Sequence, residues 1–182
     1  MRIVGGRLRG RRLLAPESRA IRPTTDRARE ALFNVIESRF RDRLEGGRIA
    51  DFYAGTGALG IEALSRGAAF ATFVERAPEA LTLLKANIAA LGLGASTRIE
   101  RADAAAAVSR LGPFDLIFAD PPYGGAEAQR FLDELSTPGC ISSGGILILE
   151  SDRDDTISPP PDLTLAIEKH YGDSRICFFL PI

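Results

Sequence analysis

Arg48-Ile-Ala-Asp-Phe-Tyr-Ala-Gly-Thr-Gly-Ala-Leu-Gly60 decides the fold of this chain. Arg48–Phe52 is a short apolar run of strand type, and Gly55, Gly57 and Gly60 lead from it into a helix-type stretch near 58–66. A strand that gives way to a helix through glycines turns backbone N–H groups toward a ligand at the helix start. Asp51, at the strand end, stands four residues before the first of these glycines.

The same alternation repeats outward. Strand-type runs fall at 70–75, 97–100, 114–119 and 145–150, with amphipathic helical segments near 77–91, 103–110 and 125–135. Short apolar strands separated by such helices predict a parallel sheet covered on both faces. Residues 163–171 and 174–180 flank Gly172-Asp173 and read as an antiparallel hairpin at a sheet edge, entered through Pro159-Pro-Pro161. The expected fold is α/β and Rossmann-like: a mostly parallel seven-stranded sheet with helices on both faces and a small N-terminal hairpin and helix extension.

That extension is read from two stretches. Arg2-Ile-Val-Gly-Gly-Arg-Leu-Arg-Gly-Arg-Arg-Leu-Leu14 has two short β-prone pieces separated by glycines and arginines, consistent with a β-hairpin. In Arg22-Pro-Thr-Thr-Asp-Arg-Ala-Arg-Glu30, Pro23, the threonines and Asp26 supply helix-start chemistry. Ala28, Ala31, Leu32, Val35 and Ile36 then recur at helical spacing toward an end near Arg41. Two units are expected, a basic hairpin and helix over 1–45 and the main domain over 46–182.

With 182 residues, of which 45% are hydrophobic, the chain is long and apolar enough for one globular domain with a full core. The net charge of −1 hides an asymmetry: residues 1–48 hold thirteen Arg and no Lys against six acids, an excess of seven, and the remainder is acidic. A basic element on an acidic body suits a nucleic-acid partner, and Arg suits bidentate phosphate contacts. Two distant cysteines, Cys140 and Cys177, and the single histidine His170 give no metal-ligand spacing, which excludes zinc chemistry. No segment of signal-peptide type follows Met1 and no apolar run approaches membrane-spanning length, so a cytoplasmic protein with reduced thiols is expected.

Gly55-Thr-Gly-Ala-Leu-Gly60 also fits a dinucleotide fingerprint, and Glu75 lies twenty residues beyond Gly55, as a ribose-binding acid would. Asp51 tilts the balance: it would oppose a pyrophosphate but can pair with the ammonium of S-adenosylmethionine, whose sulfonium an acidic cleft also attracts. The expected cofactor set is Asp51, Tyr53, Gly55, Thr56, Gly57, Glu75, Arg76, Asp103, Ala104 and Asp120. Glu75 is placed for ribose hydroxyls, while Asp103 either bonds the adenine amino group or caps the helix that follows.

Leu116-Ile-Phe-Ala-Asp-Pro-Pro-Tyr123 ends a buried strand in an acid, two prolines and an aromatic ring. The lone pair of a nucleobase exocyclic amine is delocalised into the ring, so the amine must be reshaped before it can act as a nucleophile. Asp120 and the Pro121 carbonyl can accept its two N–H groups, Pro122 helps to fix the backbone, and Tyr123 can stack on the base. The catalytic candidates are therefore Asp120, Pro121, Pro122 and Tyr123. An NAD-dependent oxidoreductase and a catalytically silent RNA-binding assembly factor are the readings from other classes.

Ile3-Val-Gly-Gly6 with Arg9-Gly-Arg11, Arg22 through Asn34, Asp51 through Gly67 and Asp120-Pro-Pro-Tyr123 together resemble the bacterial 16S rRNA guanine-N(2)-methyltransferases of the RsmD type, within the class I S-adenosylmethionine-dependent methyltransferases. The resemblance covers nearly the whole chain, although Leu8 stands where a bulkier aromatic is expected. It implies methylation of one guanine in 16S rRNA, in the small subunit or an assembly particle; a monomer is expected separately, from the small size of the chain and its lack of an obvious dimerisation stripe. Asp-Pro-Pro-Tyr is shared with adenine N(6)-methyltransferases of DNA and RNA, which keeps that substrate as the alternative. Under this reading Arg7, Arg9, Arg11, Arg12, Arg22, Arg27 and Arg29 are expected to contact RNA phosphates.

Overall fold

Seven strands form one sheet in a computed structural model that describes residues 1–16, 26–122, 124–135 and 139–182. They are β1 (Arg48–Phe52), β2 (Phe70–Glu75), β3 (Thr97–Arg101), β4 (Phe114–Ala119), β5 (Ile141–Asp152), β6 (Leu163–Tyr171) and β7 (Ser174–Pro181). Their order is β3-β2-β1-β4-β5-β7-β6. The first five run parallel, and β7 inserts antiparallel between β5 and β6. The C-terminal hairpin therefore extends the sheet with β6, not β7, at the edge. β5 begins earlier than its apolar run because Ile141 already pairs with Phe114, before a register shift ahead of Leu116–Ile146.

The helices are α1 (Asp26–Arg39), α2 (Arg41–Leu44), α3 (Ala58–Ser65), α4 (Pro78–Ala90), α5 (Ala104–Val108) and α6 (Ala126–Leu135). Alternation along the strands sorts them into two layers. Ile49, Phe73, Phe118 and Ile148 face α1, α2, α3 and α4, whereas Ala50, Val74, Ile117 and Leu149 face α5 and α6. Both layers hold buried aromatic rings: Phe33, Phe73 and Phe118 in one and Phe52 and Phe131 in the other are fully buried, each contributing about 1.5–3 kcal/mol. Ile3, Leu13, Leu32, Phe33, Ile36 and Leu44 belong to the same cluster as Ile49 and Phe118, so the core runs continuously across residues 45 and 46.

The expected N-terminal hairpin is shorter than two strands. One antiparallel bridge joins Arg2 to Arg12, and a 3-10 turn over Gly6–Leu8 closes the loop. The reason lies in where the backbone bonds go. Val4 and Gly5 donate to the Glu62 carboxylate at 2.9 and 2.7 Å, and Leu8 donates to the Ser65 hydroxyl at 2.9 Å. Gly6, at φ +71°, lies so close that a Cβ there would stand 2.0 Å from the Ser65 carbonyl. The loop is thus moulded onto α3 and does not extend as a free ribbon.

Parallel strands in this order place the ligand crevice at the C-terminal ends of β1 and β4, where the direction of winding reverses. The register brings Phe52 level with Val74 and Ala119, and Ala119 level with Leu149. The residues that follow, Glu75, Asp120 and Glu150, therefore share one edge of the sheet with Asp51. No helix among the described residues is long and apolar enough to cross a membrane.

Candidate cofactor and acceptor site

The glycine loop runs from Asp51 to the start of α3. Gly57 caps that helix at φ +82°, and a Cβ on it would lie 2.4 Å from a methyl carbon of Leu84. A side chain there would thus be both strained and crowded. Asp51 is almost fully buried, and one of its oxygens accepts the Gly60 N–H at 2.8 Å, which pins the first turn of α3 to β1. Glu75 organises the other side: it accepts from the Gly55 N–H at 2.8 Å and from the Arg76 and Ala77 N–H groups, also at 2.8 Å. Between them Tyr53 adopts φ 60°, a left-handed conformation uncommon outside glycine. Such strain persists only where the surroundings enforce it, and it concentrates at functional loops.

These acids sit closer together than ordinary solvation favours. Burial, then the nearby Glu75 charge, raises the Asp51 carboxyl to about 7 despite the Gly60 hydrogen bond. Asp120 is reached by solvent at the strand end, yet protein crowds its carboxyl. Burial, followed by Glu150 and Asp51, moves its pKa upward. A cluster of carboxyls held against their own repulsion is a cation-binding arrangement, because a cation in the cleft stabilises the ionised forms.

A second network closes the rim. Asp103 accepts the Ala106 N–H at 3.0 Å and so caps α5, where Ala104 is buried. The same carboxylate meets Arg76 at 3.0 Å and Arg130 at 2.8 Å. The Ala106 N–H, then Arg130 and Arg76, hold its carboxyl below the usual range against partial burial. Arg130 continues to Glu127 at 3.3 Å, and Glu127 accepts the Tyr53 hydroxyl at 3.1 Å. The capping reading of Asp103 is thus realised, and any adenine contact requires one arginine to yield.

The tetrad is described in part. Pro121 is buried behind the strand end, Pro122 is exposed, and Tyr123 lies outside the described residues. Thr56 occupies the loop centre, half-buried, and its carbonyl accepts from the Asn87 amide at 3.0 Å.

Among the arginines, Arg7, Arg9, Arg11, Arg12 and Arg27 are exposed, while Arg22 lies outside the described residues. Arg29 departs from the expectation of a phosphate contact. It is fully buried, donates to the Arg2 carbonyl, and meets Asp26 at 2.8 Å and Glu62 at 3.7 Å. The cause is its phase on α1: with Leu32, Phe33 and Ile36 it forms the inward stripe.

Sequence reasoning passed over Glu62, Asn87, Glu127 and Arg130. Glu62 and Asn87 carried a usable signal, since each is a polar residue on the buried stripe of an otherwise apolar helix. Glu127 and Arg130 read as ordinary surface charges on α6.

The comparisons with known proteins agree with this geometry. The profile described as conserved hypothetical protein 95 matches residues 1–180. "Ribosomal RNA small subunit methyltransferase D" of Escherichia coli K12 is 35% identical over 174 residues, covering 94% of this chain and 85% of its own. YlbH of Bacillus subtilis is 34% identical over 187 residues, covering 98% of each chain. The solved structure of the Escherichia coli protein yhhF superposes with a TM-score of 0.87 at 32% identity, covering 100% of this chain and 97% of its own. The sheet order, the acidic glycine loop and these full-length likenesses converge: the chain belongs to the conserved hypothetical protein 95 family, the RsmD family of class I methyltransferase fold.

Proposed function

We propose that this protein transfers a methyl group from S-adenosylmethionine to the exocyclic N(2) amine of a guanine in 16S rRNA, within the small subunit or an assembly particle. The observation that carries the reading is the convergence of two motifs at the β1/β4 switch point: the acidic glycine loop and Asp120-Pro-Pro. The names of full-length relatives support rRNA as the acceptor.

The residues fit a cofactor that carries two cationic groups. Asp51 and Asp120 have carboxyls raised by burial and by neighbouring acids, and a sulfonium and an ammonium relieve that repulsion. Asp51, Glu75 and the backbone of Gly55–Gly57 would hold it, with Tyr53, Arg76, Asp103 and Ala104 lining its far end. When bound, it supplies an electrophilic methyl on sulfur.

The acceptor half falls to the tetrad. Asp120 accepts one N–H of the amine and the Pro121 carbonyl the other, which aims the nitrogen lone pair at the methyl. As the methyl passed from sulfur to nitrogen, S-adenosylhomocysteine would leave, Asp120 would stabilise the positive charge developing on nitrogen, and the nitrogen would then lose one proton to solvent. Tyr123 is assigned the stacking of the extruded base on sequence grounds. Residues 1–45 serve as the RNA-facing unit and 46–182 as the catalytic one, in a cytoplasmic monomer. Within the first unit Arg7, Arg9, Arg11, Arg12, Arg22 and Arg27 meet phosphates.

The test is transfer of labelled methyl to unmodified small subunits, naked 16S rRNA and duplex DNA, followed by nucleoside analysis. N(2)-methylguanosine confined to rRNA or its particles is expected. N(6)-methyladenine would retain the mechanism and overturn the substrate.

A further inference from the structure

Asn87, on the face of α4 turned toward the core, is 2% exposed, and its amide is bonded on three sides. The side-chain oxygen accepts the Leu14 N–H at 2.7 Å, and the nitrogen donates to the Leu14 carbonyl at 3.1 Å and to the Thr56 carbonyl at 3.0 Å. One buried side chain therefore joins the end of the arginine-rich loop to the middle of the glycine loop. Glu62 forms a parallel tie. It lies on α3, which starts at the glycine loop, and holds the N–H groups of Val4 and Gly5. A third attachment runs from Arg11 to the Ala90 carbonyl at the end of α4, at 3.3 Å.

We propose that Asn87 is a positioning residue that couples RNA engagement by the arginine loop to the conformation of the cofactor loop, so that each ligand strengthens binding of the other. This rests on the assignment of the crevice to S-adenosylmethionine and of the N-terminal arginines to RNA. Phosphates that draw Arg7, Arg9 and Arg11 together fix the backbone from Ile3 to Leu14. Through the Asn87 amide a fixed Leu14 fixes Thr56, and a Thr56 ordered by cofactor orders Leu14 in return. Coupling of this kind is reciprocal by thermodynamic necessity. A side chain that only satisfied buried carbonyls would stabilise the fold and leave the two affinities independent.

The measurement is the affinity for a 16S rRNA transcript with and without saturating S-adenosylhomocysteine, in the wild type and in Asn87→Ala. The wild type should bind RNA about fivefold or more tightly with the cofactor product present. In Asn87→Ala the ratio should fall to near one, even where both affinities are lower. A wild-type ratio of one, or a ratio unchanged in the variant, overturns the proposal. If Asn87→Ala does not fold, amide hydrogen exchange on the wild type decides: S-adenosylhomocysteine alone should slow exchange at Leu14, and an unchanged rate there sinks the link. Failure to bind RNA at all would defeat the functional reading instead, and the same exchange measurement would still decide for or against the tie.

Discussion

The strand-end cleft and the N-terminal arginine loop carry opposite charge and satisfy it in opposite ways. In the cleft, Asp51 and Asp120 are raised by burial and then by the neighbouring acids, Glu75 beside Asp51 and Glu150 beside Asp120, so that ionising them there favours a cationic ligand. In the N-terminal region the buried charge is already matched, because Arg29 and Arg66 surround Glu62 and Asp26 meets Arg29. What remains there, Arg7, Arg9, Arg11 and Arg12, is exposed. Like-charge crowding marks a place for a ligand to enter, whereas matched burial marks a scaffold, even where the scaffold is made of arginine.

Breaking the cleft should have the largest effect. Asp120→Ala is expected to reduce the methyl-transfer rate by about 10³-fold or more, with S-adenosylhomocysteine affinity within about tenfold. Single-turnover kinetics beside calorimetry separate the two quantities, and retained turnover would remove Asp120 from the mechanism. Breaking the scaffold should register in stability. Glu62→Ala leaves Arg29, Arg66 and the Val4 and Gly5 N–H groups without their buried acceptor, so denaturant unfolding should show a loss of about 3–5 kcal/mol. A loss under about 1 kcal/mol would place Glu62 among ordinary surface acids.

The crowding itself can be read as a pH effect. The folded-state pKa of Asp51 lies above its unfolded value, so the stability it contributes is full below about pH 4 and is lost as pH rises through about 7. Asp51→Asn keeps an acceptor for the Gly60 N–H but cannot ionise. It should flatten the stability profile of the ligand-free protein between those limits, with a gain near neutral pH of at most about 4 kcal/mol. The same change should weaken cofactor binding. A stability profile identical to the wild type would show that Asp51 is not crowded.

Much of this was legible in sequence, and what was not has definite physical causes. β1, β2 and β4 follow the apolar runs to the residue, because strands buried on both faces leave an uninterrupted signature. The glycine loop was legible because few residue types permit its positive φ angles, and Asp120 because it ends an apolar strand just before two prolines. Arg29 misled because its charge spoke of surface while its phase on α1 placed it inside, and the phase decided. The N-terminal hairpin is held to a single bridge by Glu62 and Ser65, partners distant in sequence that no local pattern announces. Asn87 is the same case: a polar residue in an apolar stripe is visible, but Leu14 and Thr56 as its partners are not.

The smallest effect should come from the exposed arginines, and it is also the most diagnostic. Arg9 and Arg11 are both exposed, and Arg11 gives up only a long 3.3 Å bond to Ala90 if it turns to a phosphate. Reversing both charges should weaken RNA binding by about tenfold at moderate salt. It should also lower the slope of log affinity against log salt by about 1.4, the share of two phosphates on a single strand. Stability should stay within about 0.5 kcal/mol of the wild type, since neither side chain supports the core. The contrast with Glu62→Ala is the point of the measurement: one change alters ligand electrostatics without touching the fold, and the other does the reverse. An unchanged salt slope would assign Arg9 and Arg11 to the solvated surface and move the RNA contact to another part of the basic segment.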